Sequence, residues 1–197
     1  VPLENTYFQG KNRSAYVLQS QVLGLKTLTL TIVVSGRDHR EVVRRKSALD
    51  AAFLGQVELL LGDGWGYTCH CEELGKETRV GETEIEAEYS FSGIRHGDWI
   101  SASGKVVYNP GTLPRSDCIL SVTVQTPAAL YQVGSVTFQD AKTGETFEVD
   151  GIRKRILVNG VPAAQRASWT EFPYLAPGRN GIECLDVPRV EFWPCYL

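Results

Sequence analysis

TEIEAEYSFS (residues 83–92) decides the fold, because from Glu84 onward its charged or polar residues alternate with apolar ones. The apolar positions are Ile85, Ala87, Tyr89 and Phe91, and glutamates or serines stand between them. This period of two is that of a β-strand with one face in a core and the other in water. The stretch therefore predicts a half-buried antiparallel strand.

Before this strand, the sequence predicts a compact unit of strand, helix and hairpin. Residues 23–34 also alternate, which indicates a strand with one buried face. Asp38 is placed to cap a following helix, with Glu41 as the second member of a capping box. Gly55 ends the helix, and two short strands follow on either side of a Gly-Asp-Gly turn at residues 62–64.

The predicted helix carries both an apolar stripe and a cluster of positive charge. The stripe consists of Val42, Leu49, Ala52 and Phe53. The basic cluster consists of Arg37, Arg40, Arg44, Arg45 and Lys46, and its last two members are expected to extend their charged ends outward. No aromatic residues interleave with these charges, so the pattern does not indicate nucleic-acid binding. The cluster predicts either a solvated helix face or an assembly interface with an acidic neighbour.

After residue 92, short strand signals alternate with turn signals. Strands are predicted at residues 99–108, 119–125, 133–139, 146–149, 156–158, 182–185 and 190–193. The turns between them include Asn109-Pro110-Gly111, Thr143-Gly144, Asp150-Gly151 and Asn159-Gly160. Such spacing favours a β-sandwich of the jelly-roll or lectin-like type. The predicted fold class is mainly β with one helix, with a domain boundary near Gly75.

Length and charge narrow the function classes. A chain of 197 residues holds one large domain or two small ones. Its net charge of −3 creates no basic field for nucleic acid or anionic lipid. No apolar run approaches the roughly 20 residues of a membrane helix, and the first residues predict no secretory signal.

The five cysteines predict reduced thiols and no disulfide framework. Cys69 and Cys71 are one residue apart on a predicted strand, so His70 between them points to the opposite face. A zinc site needs about four converging ligands. The sequence therefore predicts no metal site. Small buried residues are also predicted at Cys118, Cys184 and Cys195, the last two on strands whose pairing could bring the thiols together.

Catalytic and cofactor motifs are missing from the sequence. No nucleophile elbow or phosphate-binding loop occurs, and the three histidines are His39, His70 and His96. His96 and Asp98 belong to a predicted solvated turn. The sequence predicts neither an enzyme nor a bound cofactor.

Two surface features have competing interpretations. Glutamates at positions 82, 84, 86 and 88 occupy one strand face, which favours a solvated or lumen-facing sheet surface over a pair of glycosidase carboxylates. The aromatic segments at residues 172–175 and 192–197 predict core or subunit contacts, with a carbohydrate platform as the alternative.

Several turns together form a pattern that covers nearly the whole chain. The segment WTEFPYLAPGRNGI (residues 169–182) places a Phe-Pro, a Leu, a Pro-Gly and an Asn ahead of the last strands. Further turns are Asn109-Pro110-Gly111-Thr112, Asp150-Gly151 and Asn159-Gly160. With the early strand, helix and hairpin, this pattern resembles the siphophage-type distal tail proteins, a family of phage tail components.

The resemblance implies an architecture and a set of partners. It implies a belt-like domain at residues 1–75 that forms a hexameric ring, followed by a galectin-like β-sandwich at residues 76–197. The implied partners are further copies of the chain, the tail tube protein on one side and the tail hub or tip protein on the other. DNA would pass through the ring without sequence-specific contacts, and no membrane is involved. The expected location is the tail of a virion assembled in the host cytoplasm.

A function of a different class competes with this structural role. A carbohydrate-binding β-sandwich that recognises a host surface would use exposed aromatic side chains. Saturable binding of a glycan would favour it, whereas a ring of defined mass would favour the tail protein.

Overall fold

The computed structural model describes residues 3–9 and 16–197, with side chains described for residues 3 and 23–197. It has one helix among these residues and is otherwise built of strands, so the predicted fold class is confirmed. No described helix is long and apolar enough to cross a bilayer. The chain divides into two compact units, Val1–Arg95 and His96–Leu197.

The first unit contains six strands and the helix in its described part. They are β1 (Leu3–Gln9), β2 (Tyr16–Leu23), β3 (Lys26–Ser35), α1 (His39–Ala52), β4 (Gln56–Leu60), β5 (Gly66–Arg79) and β6 (Glu84–His96), whose last residue opens the second unit. β1 and β2 form an antiparallel hairpin, which the sequence analysis does not predict. The other strands form a sheet in the order β3–β6–β5–β4.

Helix α1 covers one face of this sheet. The alternation in β6 buries Ala87, Tyr89 and Phe91, as predicted, and β3 adds partly buried leucines to the same cluster. Phe53, at the end of the helix, places its ring 4.9 Å from that of Tyr89 and 5.1 Å from that of Phe91. Edge contacts of this kind add to the free energy gained by burying the rings. The hydrophobic core of the first unit therefore lies between α1 and β6.

The boundary between the units differs from the predicted one near Gly75. Gly75 lies inside β5, where an added Cβ would be 3.1 Å from the Cβ of Ala87 and 3.2 Å from the ring of Tyr89. The glycine thus permits two strands of one sheet to approach closely, and it does not mark a linker. The first unit continues through β6 to Arg95.

The second unit contains the remaining strands and one 3-10 turn at Ala164–Arg166. The strands are β7 (Ile100–Ser103), β8 (Val106–Asn109), β9 (Ser116–Thr123), β10 (Ala128–Val133), β11 (Val136–Ala141), β12 (Thr146–Asp150), β13 (Arg155–Val158), β14 (Val161–Pro162), β15 (Ala167–Trp169), β16 (Tyr174–Leu175), β17 (Gly178–Gly181), β18 (Arg189–Phe192) and β19 (Cys195–Tyr196).

These strands form the predicted β-sandwich. The larger sheet has the order β14–β13–β12–β9–β18–β7, with β16 pairing on β9, and a second sheet has the order β10–β11–β15. Phe138 of β11 and Phe147 of β12 stack across the interior with ring centroids 4.1 Å apart, which joins the two sheets. Leu120, Val149 and Phe192 are among the fully buried residues around them.

Two predicted strands of the second unit are corrected. Residues 99–108 do not form one strand, because the chain turns at Gly104 (φ +139) between β7 and β8. Residues 182–185 form only a single bridge, from Cys184 to Val133, and the strand in this region is β17.

Candidate assembly interface

Asp38 and Glu41 fix the start of α1. Oδ1 of Asp38 accepts a hydrogen bond from the backbone N of Glu41 at 2.8 Å, which is the predicted cap. The Glu41 carboxylate does not return to Asp38, as a capping box would require. It accepts instead from the backbone N of Arg37 at 3.0 Å. The Glu41 side chain thus bonds the backbone one residue before the cap, and this hydrogen bond holds Arg37 against the helix.

Three arginines of the basic cluster share the carboxylate of Glu41. Arg37 Nε and Arg45 Nη2 each lie 2.9 Å from a Glu41 oxygen, and Arg44 Nη2 lies 3.9 Å away. The hydrogen bonds from Arg37 and the nearby charges hold the pKa of Glu41 below its usual value, against the opposing effect of desolvation. The Glu41 side chain is 10% exposed, whereas Arg37, Arg44 and Arg45 are 88%, 77% and 54% exposed. One carboxylate cannot neutralise three guanidinium groups, so positive charge remains on this surface.

Lys46 does not belong to the exposed surface, which corrects the expectation for this residue. It is buried, with Nζ 2.7 Å from Oδ2 of Asp50 and 3.0 Å from Oε1 of Glu77. Burial by itself would lower the pKa of Lys46, but the hydrogen bonds to Asp50 and Glu77 outweigh it and raise the pKa. Tyr89 donates a 2.8 Å hydrogen bond to the other oxygen of Asp50. Lys46 therefore stabilises the first unit from within.

The exposed remainder of the cluster is called the basic face here: Arg37, Arg40, Arg44 and Arg45. Arg40 is exposed and makes no ion pair with any described residue. Arg45 also donates from Nη1 to the backbone oxygen of Ser35 at 2.8 Å, which ties the face to the end of β3. The basic face thus occupies the first two turns of α1 and the residue before its cap.

An acidic face lies on the other side of the same sheet. It consists of Glu84, Glu86 and Glu88 of β6, with Glu82 in the preceding turn, and all four residues are exposed. In the register with β3, Glu84, Glu86 and Glu88 stand opposite Ser35, Val33 and Thr31. None of the glutamates makes an ion pair within the described residues, so the solvated sheet face predicted from the sequence is confirmed.

In the second unit, several of the turn residues that carry the family resemblance contact one another. Asn109 is buried, and its Nδ2 donates to Ser116 Oγ and to the backbone oxygen of Leu175, both at 3.2 Å. Its Oδ1 accepts from the backbone N of Gly111 at 2.9 Å. One amide therefore joins two of the segments that the sequence pattern singled out, residues 109–112 and 169–182, to the start of β9. These residues shape the backbone and offer no reactive group.

Two glycines allow backbone segments to pass close by in this region. A Cβ at Gly151 would lie 2.4 Å from the backbone oxygen of Pro173 and 2.6 Å from that of Cys118. A Cβ at Gly111 would lie 2.6 Å from the backbone oxygen of Cys195. Only glycine fits such approaches. The motifs of the resemblance thus close the sandwich around its carboxyl-terminal segments.

The cysteines do not form a reactive or metal-binding centre in the described structure. All five are free thiols, and no group of three or more His, Cys, Asp or Glu among the described residues could hold a metal ion. Burial raises the pKa of Cys69 to about 11 and that of Cys118 to about 12. A thiol with so high a pKa is protonated at neutral pH and is a poor nucleophile.

His96 is not part of a solvated turn, contrary to prediction. It is the last residue of β6 and is buried, with its ring 5.2 Å from that of Trp193. Trp99 also packs against Trp193, and the centroids of their rings are 4.4 Å apart. Asp98 is exposed. The loop expected to be polar is therefore partly an aromatic cluster.

The aromatic segments divide between core and surface. Phe192 and Leu175 are fully buried, as the core interpretation predicts. Tyr174 is 38% exposed, and the guanidinium of Arg115 lies 4.2 Å above its ring. Trp169, beside Phe172, is 41% exposed.

A groove lined by both polar and apolar side chains crosses the outer face of the larger sheet. It has a volume of about 610 Å³, and its lining includes Ser103, Ser121, Thr123, Thr146 and Arg189. The register explains this row, because Arg189 of β18 stands opposite Ser103 of β7 and Ser121 of β9. Arg189 is held by Glu191 at 2.8 Å and Ser101 at 3.0 Å.

Comparison with known proteins shows similarity of fold. No family model matches the sequence, and no curated protein matches it. One similar solved structure is the crystal structure of the Dit protein of phage SPP1, described as a paradigm of the hub adsorption apparatus in phages infecting Gram-positive bacteria. The match spans 100% of this chain and 89% of the SPP1 chain, with a TM-score of 0.73 and 15% identity. One chain of the structure of the phage P2 baseplate, in its activated conformation with Ca, matches 97% of this chain over 86% of its own length, with a TM-score of 0.57 and 8% identity. The predicted resemblance is therefore confirmed at the level of structure, and this chain has the fold of a phage Dit protein.

Proposed function

We propose that the protein is a structural component of a phage or phage-like tail. It forms a hexameric ring that joins the tail tube to the hub or tip. One observation carries this proposal: the match to the SPP1 Dit protein extends over the whole chain and therefore includes both units. A likeness confined to the β-sandwich would support the role far less, because sandwiches serve many functions.

In this role the chain works through its surfaces. The first unit contacts sister copies, and the ring contacts the tail tube protein on one side and the tail hub protein on the other. DNA passes through the ring without sequence-specific contacts, and the protein resides in the tail of a virion assembled in the host cytoplasm. The role involves no membrane and no cofactor.

The proposal assigns no catalytic step to the chain. Its support is the placement of the groups that could act as bases: His39 and His70 are exposed, and His96 is packed under Trp193 with Nδ1 2.9 Å from the backbone oxygen of Gly97. The two most buried thiols have raised pKa values.

Native mass spectrometry of the purified protein, with negative-stain microscopy of the same sample, tests the role. We expect particles with the mass of six chains and rings with an open centre. The same measurement is made after co-expression with the tail tube and hub proteins from the same source. A protein that remains monomeric alone and with both neighbours contradicts the proposal.

The groove around Arg189 supports a second candidate, a carbohydrate-binding module. Its volume of about 610 Å³ and its row of hydroxyl groups around Arg189 suit a polyhydroxylated ligand. Isothermal titration against host-surface glycans tests this, with Arg189→Ala as the variant that should lose binding. Saturable heats that vanish in Arg189→Ala favour the module, and their absence with ring formation favours the tail component.

A further inference from the structure

The first unit presents two surfaces of opposite charge on opposite sides of one layer. Helix α1 packs on the sheet face formed by Ala87, Tyr89 and Phe91, and the basic face looks outward from the helix. The glutamates of β6 alternate with these apolar residues and project from the other side of the sheet. Positive and negative surfaces are thereby separated by the thickness of a helix and a sheet.

We infer that the basic face of one copy docks against the acidic face of a second copy of this chain. The inference rests on the proposed ring and names the two surfaces that close it. A ring of identical copies needs a heterologous contact, in which each copy offers two different and complementary surfaces. The basic and acidic faces are such a pair.

The two faces also match in length. The basic face extends over two helical turns, about 11 Å at 5.4 Å per turn. Glu84 and Glu88 are four residues apart on a strand, about 13 Å at 3.3 Å per residue. The guanidinium groups of Arg40 and Arg44, one turn apart, can therefore each meet a carboxylate of β6 in the neighbouring copy.

The charges on both faces are left for a partner. Glu41 is enclosed by three arginines and has little capacity for further hydrogen bonds, while the side chain of Arg40 makes no hydrogen bond or ion pair within the described part of the chain. The side chains of Glu84, Glu86 and Glu88 likewise make none within it. Rows of like charge repel one another within a free chain, and an opposite row removes that repulsion. Guanidinium and carboxylate groups can also form bidentate hydrogen bonds, which give orientation as well as attraction.

Charge reversal on each face tests the inference. The first variant is Arg40→Glu with Arg44→Glu, and the second is Glu86→Lys with Glu88→Lys. Like charges placed across an interface are strongly unfavourable, so each variant alone should self-associate at least about tenfold more weakly than the wild type in analytical ultracentrifugation. The single change Arg40→Glu, at a residue that makes no ion pair with Glu41, should act in the same direction, and circular dichroism verifies that each variant is folded.

An equimolar mixture of the two variants is the decisive sample. The reversed helix of the first variant is acidic and meets the reversed, basic sheet of the second, while the remaining faces carry their original signs. Association should return to within a few-fold of the wild type, with the two variants alternating. Raising the salt concentration should weaken both the wild-type complex and the mixed complex, because ions screen exposed charges. Arg179→Glu and Asp98→Lys, two exposed residues of the second unit, serve as controls without effect.

The outcomes separate this inference from the proposed function. If rings form and the reversals leave them intact, other surfaces close the ring and the inference is overturned while the function stands. If the mixture associates but the wild type never gives a six-membered ring, even with its tail partners, the paired faces stand and the function fails. If neither the wild type nor the mixture associates in low salt, the inference is overturned.

Discussion

The side chain of Asn109 donates a hydrogen bond from Nδ2 to the backbone oxygen of Leu175 at 3.2 Å, across 66 residues of sequence. Asn109 ends β8, and Leu175 ends β16, the short strand that pairs with β9. The same amide bonds Ser116 and Gly111. Asn109, which the sequence analysis identified only as part of a turn, thus makes long-range hydrogen bonds that stabilise the sandwich.

Replacing Asn109 by Ala should therefore destabilise the protein. The change removes three hydrogen bonds from a buried position and leaves a backbone oxygen without its donor, a loss of about 2–3 kcal/mol in the free energy of unfolding. Urea denaturation followed by fluorescence measures it. Tyr108→Ala, at the exposed preceding position, is the control, and an equal loss in both variants would contradict the assigned role.

Gly151→Ala should destabilise the sandwich through overcrowding. The new Cβ would lie 2.4 Å from the backbone oxygen of Pro173 and 2.6 Å from that of Cys118. Backbone atoms cannot move to relieve such a clash as easily as a flexible side chain can. We expect a cost of about 1–3 kcal/mol, seen as a lower Tm. At Gly181 an added Cβ meets nothing within 4 Å, so Gly181→Ala should leave Tm nearly unchanged. Similar Tm values for the two variants would refute the close approach.

Asp186 should make stability depend on acid pH. Its carboxylate accepts hydrogen bonds from the backbone N of Gln125 at 2.8 Å and from the hydroxyl of Tyr131 at 2.7 Å, and hydrogen bonds of this kind lower the pKa of Asp186 to about 2. Because the folded pKa is below the ordinary value of 3.8, the stabilisation is present above about pH 4 and disappears as pH falls through about 2.

Asp186→Asn tests this at constant shape. At neutral pH the variant should be less stable by about 1–3 kcal/mol, since hydrogen bonds to a charged acceptor are lost. The difference from wild type should shrink as pH falls from 4 towards 2, which thermal melts at several pH values would show. Asp98→Asn, at an exposed position, controls for the general effect of removing a carboxylate. A difference that stays constant with pH would contradict the assignment.

Lys46→Ala should destabilise the first unit, whereas Arg44→Ala should not. Lys46 is 7% exposed and bonds Asp50 and Glu77, so its removal leaves a partly buried carboxylate without its counter-charge. Breaking such a pair costs about 2–4 kcal/mol. Arg44 is 77% exposed and 3.9 Å from Glu41, a surface pair worth about 0–1 kcal/mol. Chemical denaturation of the two variants compares them, and the reverse order would show that Lys46 is not internal.

The sequence predicted the elements whose periodicity was strong. β3, α1 and β6 were recognised because alternation and helical spacing extend over ten or more residues in each. The charges of the two faces followed from the same patterns. Short strands such as β16 and β17 have too few residues to show the alternation of a strand. They can be recognised only from their pairing with β9 and β8.

Lys46 shows why local pattern misjudged one member of the basic cluster. With Val42, Leu49 and Phe53 it completes the spacing of the buried stripe, and Asp50 stands one turn on, so a signal for a buried ion pair was present. The second partner, Glu77, is on β5 and is not adjacent to α1 in sequence. Gly75 was misjudged for a related reason, since a glycine that admits a neighbouring strand and a glycine in a linker look alike until the partner strand is known.

The position of β18 has a consequence for synthesis on the ribosome. This strand lies between β9 and β7 in the larger sheet, yet the ribosome makes it long after both of them. Until it emerges, the nascent chain exposes two unpaired strand edges, which are prone to pair with other chains. In a cell that makes many copies at once, we expect the partly synthesised second unit to be the species most prone to aggregate.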